Sequence, residues 1–157
     1  MFLKSHSTEE TMEFGASLAV HLMPGDIILL TGDLGAGKTT FTKGIAKGLS
    51  VEQTVTSPSF TIMNQYQGNL PLYHFDLYRI DDPDEFLELG LEEFLFGEGI
   101  SVIEWSEKLP ELPSEFLKAA LTLDSKELDN RNLKLIPIGN RYKDLTTKFK
   151  NEIRGVH

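Results

Sequence analysis

Apolar residues recur along this chain at two spacings, and the places where one gives way to the other mark out its elements. Phe14, Leu18 and Leu22 stand at i, i+4 and i+8, so they share one helical face. Ser7-Thr8-Glu9-Glu10 ahead of them has capping-box form and Pro24-Gly25 behind them stops a helix, which predicts one over about residues 8–22. Asp26 to Thr31 carries an unbroken aliphatic run and reads as a buried strand. Helical spacing returns with Phe41, Ile45 and Leu49, predicting a helix over Thr39–Leu49. Residues 50–59 are polar, contain Pro58 and form a loop. Phe60–Gln67 and Leu72–Leu77 read as strands of a hairpin around Gly68-Asn69. Asp82 is placed as the N-cap of a short helix with Pro83 in its first position, ending near Gly90. Ile100–Glu104 is a compact apolar strand, and Lys118–Asp124 with Leu133–Ile138 form a second antiparallel pair. Tyr142, Leu145, Phe149 and Ile153 define a last helix, over about residues 141–153. Strands alternating with helices predict an α/β fold over residues 1–157, and the two hairpins make its central sheet mixed parallel and antiparallel.

The loop between the first predicted strand and the second helix carries the chemistry. Gly32-Asp33-Leu34-Gly35-Ala36-Gly37-Lys38-Thr39 satisfies G-x-x-x-x-G-K-[ST] at every defined position. Strand, glycine loop and helix follow in the order that a phosphate-binding loop requires. Glycines let successive N–H groups converge on phosphate oxygens, and the helix N-terminus adds its positive end. In that role Lys38 reaches the β- and γ-phosphates and the Thr39 hydroxyl ligates Mg²⁺. The expected class is a P-loop NTPase of three layers.

Binding phosphate is not hydrolysing it; turnover also needs carboxylates near the metal and the attacking water. Two predicted strands end in one, at Asp76 and at Glu104. In open α/β sheets the carboxyl ends of strands face the ligand crevice. Glu104 is the better Walker-B candidate, since Ile100-Ser101-Val102-Ile103 before it is the more uniformly apolar run. Trp105, the only tryptophan, follows directly and reads equally as core or as a neighbour of the nucleotide. His74, between Tyr73 and Phe75, reads first as a packed, hydrogen-bonded histidine. Arg79 reads as a phosphate or partner contact, or as half of a surface ion pair. Thr56-Ser57-Pro58-Ser59-Phe60-Thr61 is either a hydroxyl-capped turn or a switch loop sensing the γ-phosphate.

Composition narrows the rest. The chain is long enough to bury roughly two-thirds of its unfolded surface. It has no cysteine, which removes disulfides and thiolate chemistry. No apolar run approaches a membrane span, and the expected location is cytoplasmic. With 24 acidic against 15 basic residues the net charge is −9. A protein that grips nucleic acid by itself usually carries a basic face, so a partner is expected to hold any polynucleotide.

Taken in order and spacing, these segments closely resemble one family: TsaE, the bacterial ATPase subunit of tRNA threonylcarbamoyladenosine biosynthesis. The resemblance rests on Gly32 to Thr40, Thr56 to Thr61, His74-Phe75-Asp76-Leu77-Tyr78-Arg79, and Ile103-Glu104-Trp105-Ser106, and covers roughly residues 8–138. It implies ATP binding and slow, Mg²⁺-dependent hydrolysis, with ATP or ADP held by Asp33, Leu34, Gly35, Ala36, Gly37, Lys38, Thr39 and Thr40. By the same resemblance Asp76 is a switch aspartate, Glu104 a Mg²⁺- and water-positioning carboxylate, and Trp105 an active-site tryptophan. Metal ligands are implied at Thr39, Glu104 and Asp76. Arg131 resembles a recurrent arginine near the nucleotide, and the Thr8 region is implied to approach the base. The implied partners are a threonylcarbamoyl transferase and a companion subunit, with tRNA met only indirectly and no membrane.

The same residues leave two rival functions open. A small P-loop kinase would place an arginine lid over the transferred phosphate, whereas the four arginines here do not cluster. A nucleotide-gated binding module with negligible turnover would use the same loop as a switch.

Overall fold

Strand β2 (Ile27–Thr31) runs through the middle of the molecule because its first four residues are all aliphatic and all buried. In this computed structural model, which describes residues 1–156, it pairs in parallel with both β5 (Ile100–Glu104) and β6 (Phe116–Leu123). β4 (Leu72–Asp76) continues the parallel set beyond β5, and β3 (Met63–Tyr66) closes that edge as an antiparallel hairpin partner. On the other side β7 (Arg131–Ile138) pairs antiparallel with β6, and β1 (Phe2–Ser5) antiparallel with β7. The order is β1-β7-β6-β2-β5-β4-β3, a mixed sheet with four parallel strands at its centre.

Alternation along the strands divides the core in two. Ile28 and Leu30 join Phe14 and Leu18 of α1 (Thr8–Ala19), Phe41 and Ile45 of α2 (Lys38–Gly48), and Leu145 and Phe149 of α5 (Asn140–Val156). Ile27 and Leu29 join Phe75, Ile103, Phe86 of α3 (Asp84–Glu88) and Leu95 of α4 (Glu92–Leu95) on the opposite face. Helices therefore cover both faces, and the carboxyl ends of β2, β5 and β4 open between them.

α1 and α2 approach each other more closely than side chains would permit. A Cβ on Gly44 would stand 2.1 Å from the Met12 carbonyl oxygen, and one on Gly15 2.4 Å from that of Phe41. This seam presses α2, and with it the glycine loop, against α1.

Several boundaries differ from expectation. α1 ends at Ala19 rather than residue 22, since His21 and Leu22 donate to Leu18 and Ala19 in tighter turns, yet Leu22 stays buried. β3 begins at Met63, not Phe60: Ile62 sits at φ 68 and ends a turn in which its N–H bonds Pro58. Pro83, not Asp82, is the cap residue of α3, although the Asp82 carboxylate accepts the Asp84 N–H at 3.0 Å. The last helix begins at Asn140 after Gly139, at φ +102, and runs to Val156, beyond the predicted 141–153. β1 and α4 were not anticipated. No helix among the described residues is long and apolar enough to cross a membrane.

Candidate functional site

A cleft of about 670 Å³ lies at the carboxyl ends of the parallel strands. The glycine loop forms one wall. Gly37 caps α2 at φ +104, a left-handed conformation that strains any residue with a Cβ, and no side chain caps the helix. The first-turn N–H groups of α2 are thus left without a side-chain acceptor where Gly37, Lys38, Thr39 and Thr40 line the cleft. Asp33, Leu34 and Gly35 form its outer lip. Ala36 is buried, and its N–H bonds the Asp33 carbonyl at 3.0 Å, a contact that helps to fold the loop.

β4 and β5 bring the two carboxylates to the opposite wall, where Asp76 and Glu104 are register partners on adjacent parallel strands. Glu104 is only 5% exposed. Its Oε1 lies 3.3 Å from Lys38 Nζ, and its Oε2 accepts from His74 Nε2 at 2.8 Å. Burial pushes the Glu104 carboxyl up, but the hydrogen bond and charge of His74 and the Lys38 ammonium outweigh it, so the group is held below its usual value. Since an ionised carboxylate only accepts, His74 Nε2 is assigned the hydrogen between them; Nδ1 is buried with no partner among the described residues. His74 is therefore packed, as its sequence context suggests, and also orients Glu104. Asp76 Oδ1 accepts the Tyr78 N–H at 3.1 Å.

Trp105 follows Glu104 at φ 60, a strained conformation for a residue other than glycine. The turn leaves its ring at the cleft, 5.0 Å from that of Tyr78 between centroids. Arg131, at the start of β7, lines the far side and donates to the Leu128 and Asn130 carbonyls. Thr8, in the first turn of α1, lines it too. Ser57 and Ser59 from the hydroxyl-rich loop also reach the cleft, 2.8 Å apart at their hydroxyls. Among the described residues Arg79 neither lines the cleft nor forms an ion pair: its guanidinium sits over the Phe60 ring at 5.3 Å.

Thr11, Tyr78 and Asp129 line the cleft without having been singled out as site residues. Thr11 stands one helical turn beyond Thr8, and Tyr78 two residues beyond Asp76, so both had a positional signal. Asp129, in the β6–β7 loop, had none.

Known proteins give this arrangement a family. The profile of Threonylcarbamoyl adenosine biosynthesis protein TsaE matches residues 5–133. The chain belongs to the TsaE family. It is 45% identical over 139 residues to the tRNA threonylcarbamoyladenosine biosynthesis protein TsaE of Bacillus subtilis, spanning 87% of this chain and 85% of that one. Against the protein of the same description from Treponema pallidum it is 38% identical over 128 residues, covering 82% and 93%. The crystal structure of Bacillus subtilis YdiB superposes with a TM-score of 0.82 at 37% identity, covering 97% of this chain and 95% of that one. Every cleft residue named above falls inside the stretch that the TsaE profile matches, whereas α5 lies beyond it.

Proposed function

We propose that the cleft binds ATP with Mg²⁺ and hydrolyses it slowly, and that this turnover supports threonylcarbamoyl transfer to a tRNA adenosine. The observation that carries the reading is the uncapped N-terminus of α2, with Lys38 and Thr39 beside it, facing two strand-end carboxylates across one cleft. The backbone N–H groups and Lys38 suit phosphate oxygens. Asp76, Glu104 and the Thr39 hydroxyl suit Mg²⁺, which is usually held by one or two carboxylates together with substrate phosphates. When bound, the metal neutralises charge developing on the phosphoryl group. Glu104, fixed between Lys38 and His74, is placed to orient the attacking water, and Asp76, with Tyr78 on it, to register the phosphate end of the nucleotide. The Trp105 and Tyr78 rings offer apolar area at the mouth, and Thr8 and Arg131 a polar edge.

Among the described residues Arg131 is the only arginine that lines the cleft, which supports hydrolysis over transfer to a small acceptor by a kinase. Membership of the TsaE family supports partners: a threonylcarbamoyl transferase and a companion subunit, which would hold the tRNA while this acidic chain meets it indirectly in the cytoplasm. The test measures ATP hydrolysis by this chain alone, with each partner and with both, alongside tRNA adenosine modification over many turnovers. Weak hydrolysis alone that rises with partners is expected. Full activity without them, together with unchanged modification when this chain is omitted, would overturn the reading.

A further inference from the structure

The negative charge of this protein is concentrated on one region. Residues 81–115 hold 12 of the 24 acidic residues and a single base, Lys108, leaving 12 acidic against 14 basic elsewhere. Glu104 belongs to the cleft; the other eleven acids are exposed or half-exposed, and among the described residues none lies within ion-pair distance of a base. Lys108 has none of them within ion-pair distance among the described residues, its ammonium donating instead to the Tyr78 and Ile80 carbonyls. In the same region a groove of about 450 Å³ runs between α3, α4 and residues 109–114. Its floor is Phe86, Leu95 and Leu109, and its walls are Leu87, Phe96 and Leu112, which are 44%, 65% and 50% exposed. Glu92 and Glu111 stand on its rim.

Large apolar side chains left in water beside mutually repelling carboxylates favour neither stability nor solubility, which marks the groove as a surface that something covers. The charge decides what. Nucleic acid and anionic lipid carry the same sign as the rim. A second copy of this chain would meet its own carboxylates across a two-fold interface. We propose that the α3–α4 groove docks a basic amphipathic helix of another protein, its apolar side chains on Phe86, Leu95 and Leu109 and its lysines or arginines against the acidic rim. This docking is independent of the nucleotide reading, since groove and cleft share no lining residue. Steering by eleven unpaired carboxylates would make association fast and strongly salt-dependent.

The full chain is titrated with three labelled synthetic peptides: a Leu/Lys amphipathic helix, its Leu/Glu counterpart, and a Ser/Lys peptide of equal charge without an apolar face. The Leu/Lys peptide should bind, more weakly as salt rises, with amide shifts confined to residues 86–96 and 109–114. Phe96→Ser and the pair Glu92→Lys, Glu111→Lys should each weaken it by about tenfold, the scale of one well-placed interface contact. The charge-reversed pair should gain affinity for the Leu/Glu peptide. Equal binding of the Ser/Lys peptide, unchanged affinity in both folded variants, or shifts centred elsewhere would overturn the proposal. So would self-association that Phe96→Ser abolishes, or binding to phosphatidylserine vesicles as tight as to the peptide. Should a variant fail to fold, the shift map on the unaltered chain decides alone.

Discussion

Lys38, Glu104 and His74 form a chain of contacts in which each group can be tested separately. Lys38→Ala removes a charged hydrogen-bond donor worth about 1.5–3 kcal/mol, so ATP affinity measured by calorimetry should fall roughly tenfold to over a hundredfold. Unchanged affinity in the folded variant would remove the loop from phosphate binding. Glu104→Gln keeps an oxygen for the His74 N–H and deletes the charge; ATP should still bind while partner-stimulated hydrolysis is mostly lost, and hydrolysis at the parent rate would make the carboxylate structural. The same residue sets a pH dependence. Its carboxyl is held below the usual 4.5 in the folded chain, so its stabilising contribution is full above that pH and is lost as pH falls through the lowered folded value. Urea unfolding followed from about pH 6 to about pH 3 should show a steeper decline for the parent than for Glu104→Gln; parallel curves would refute the assignment. Lys38 and Glu104 were legible in the sequence because a spaced motif and a strand end are local patterns. The bond from His74 to Glu104 was not: it depends on β4 lying beside β5 in a register that sets His74 opposite Val102, one step along the face from Glu104.

At the scale of elements, the seam between α1 and α2 reverses a rule of helix propensity. Alanine in place of glycine inside a helix ordinarily stabilises by about 0.5–1 kcal/mol. Gly155, with nothing among the described residues within 4 Å of a Cβ, should follow that rule. Gly44→Ala would set a methyl group 2.1 Å from the Met12 carbonyl oxygen, and should instead cost about 1–3 kcal/mol as the helices separate. Chemical denaturation of both variants checks the opposite signs; two stabilised proteins would show that the helices part freely. The partner of this seam was not legible, because Gly44 and Met12, like Gly15 and Phe41, are brought together only by tertiary packing. Among the anticipated elements, β2, α2 and β5 lie within a residue of their predicted limits, whereas α1 and α5 end three residues from theirs. β1 and α4 are four residues each, too short to show a period, and β1 exists because β7 offers it an edge.

The whole molecule joins a local pair of helices to a sheet whose centre is assembled from distant segments. Ile28 pairs with Val102 on one side and Leu117 on the other. Chains ending after residue 110 would lack β6 and β7, leaving one side of β2 unpaired, and should stay protease-sensitive with no protected amides in β2; a protected β2 in such a fragment would show that β5 alone suffices. On the ribosome this topology imposes a delay. Roughly 90 residues separate Ile28 from Leu117, so at about 5–20 residues per second β2 is made on the order of 5–20 s before its second neighbour exists. Through that interval Ile27, Ile28, Leu29 and Leu30 face solvent on a growing chain, and the sequence most able to pair with a neighbouring nascent chain is the strand that later carries the glycine loop. Slowing translation near residue 60 would lengthen that exposure, so the yield of folded protein is tied to elongation rate and to chaperone supply as well as to the stability of the finished sheet.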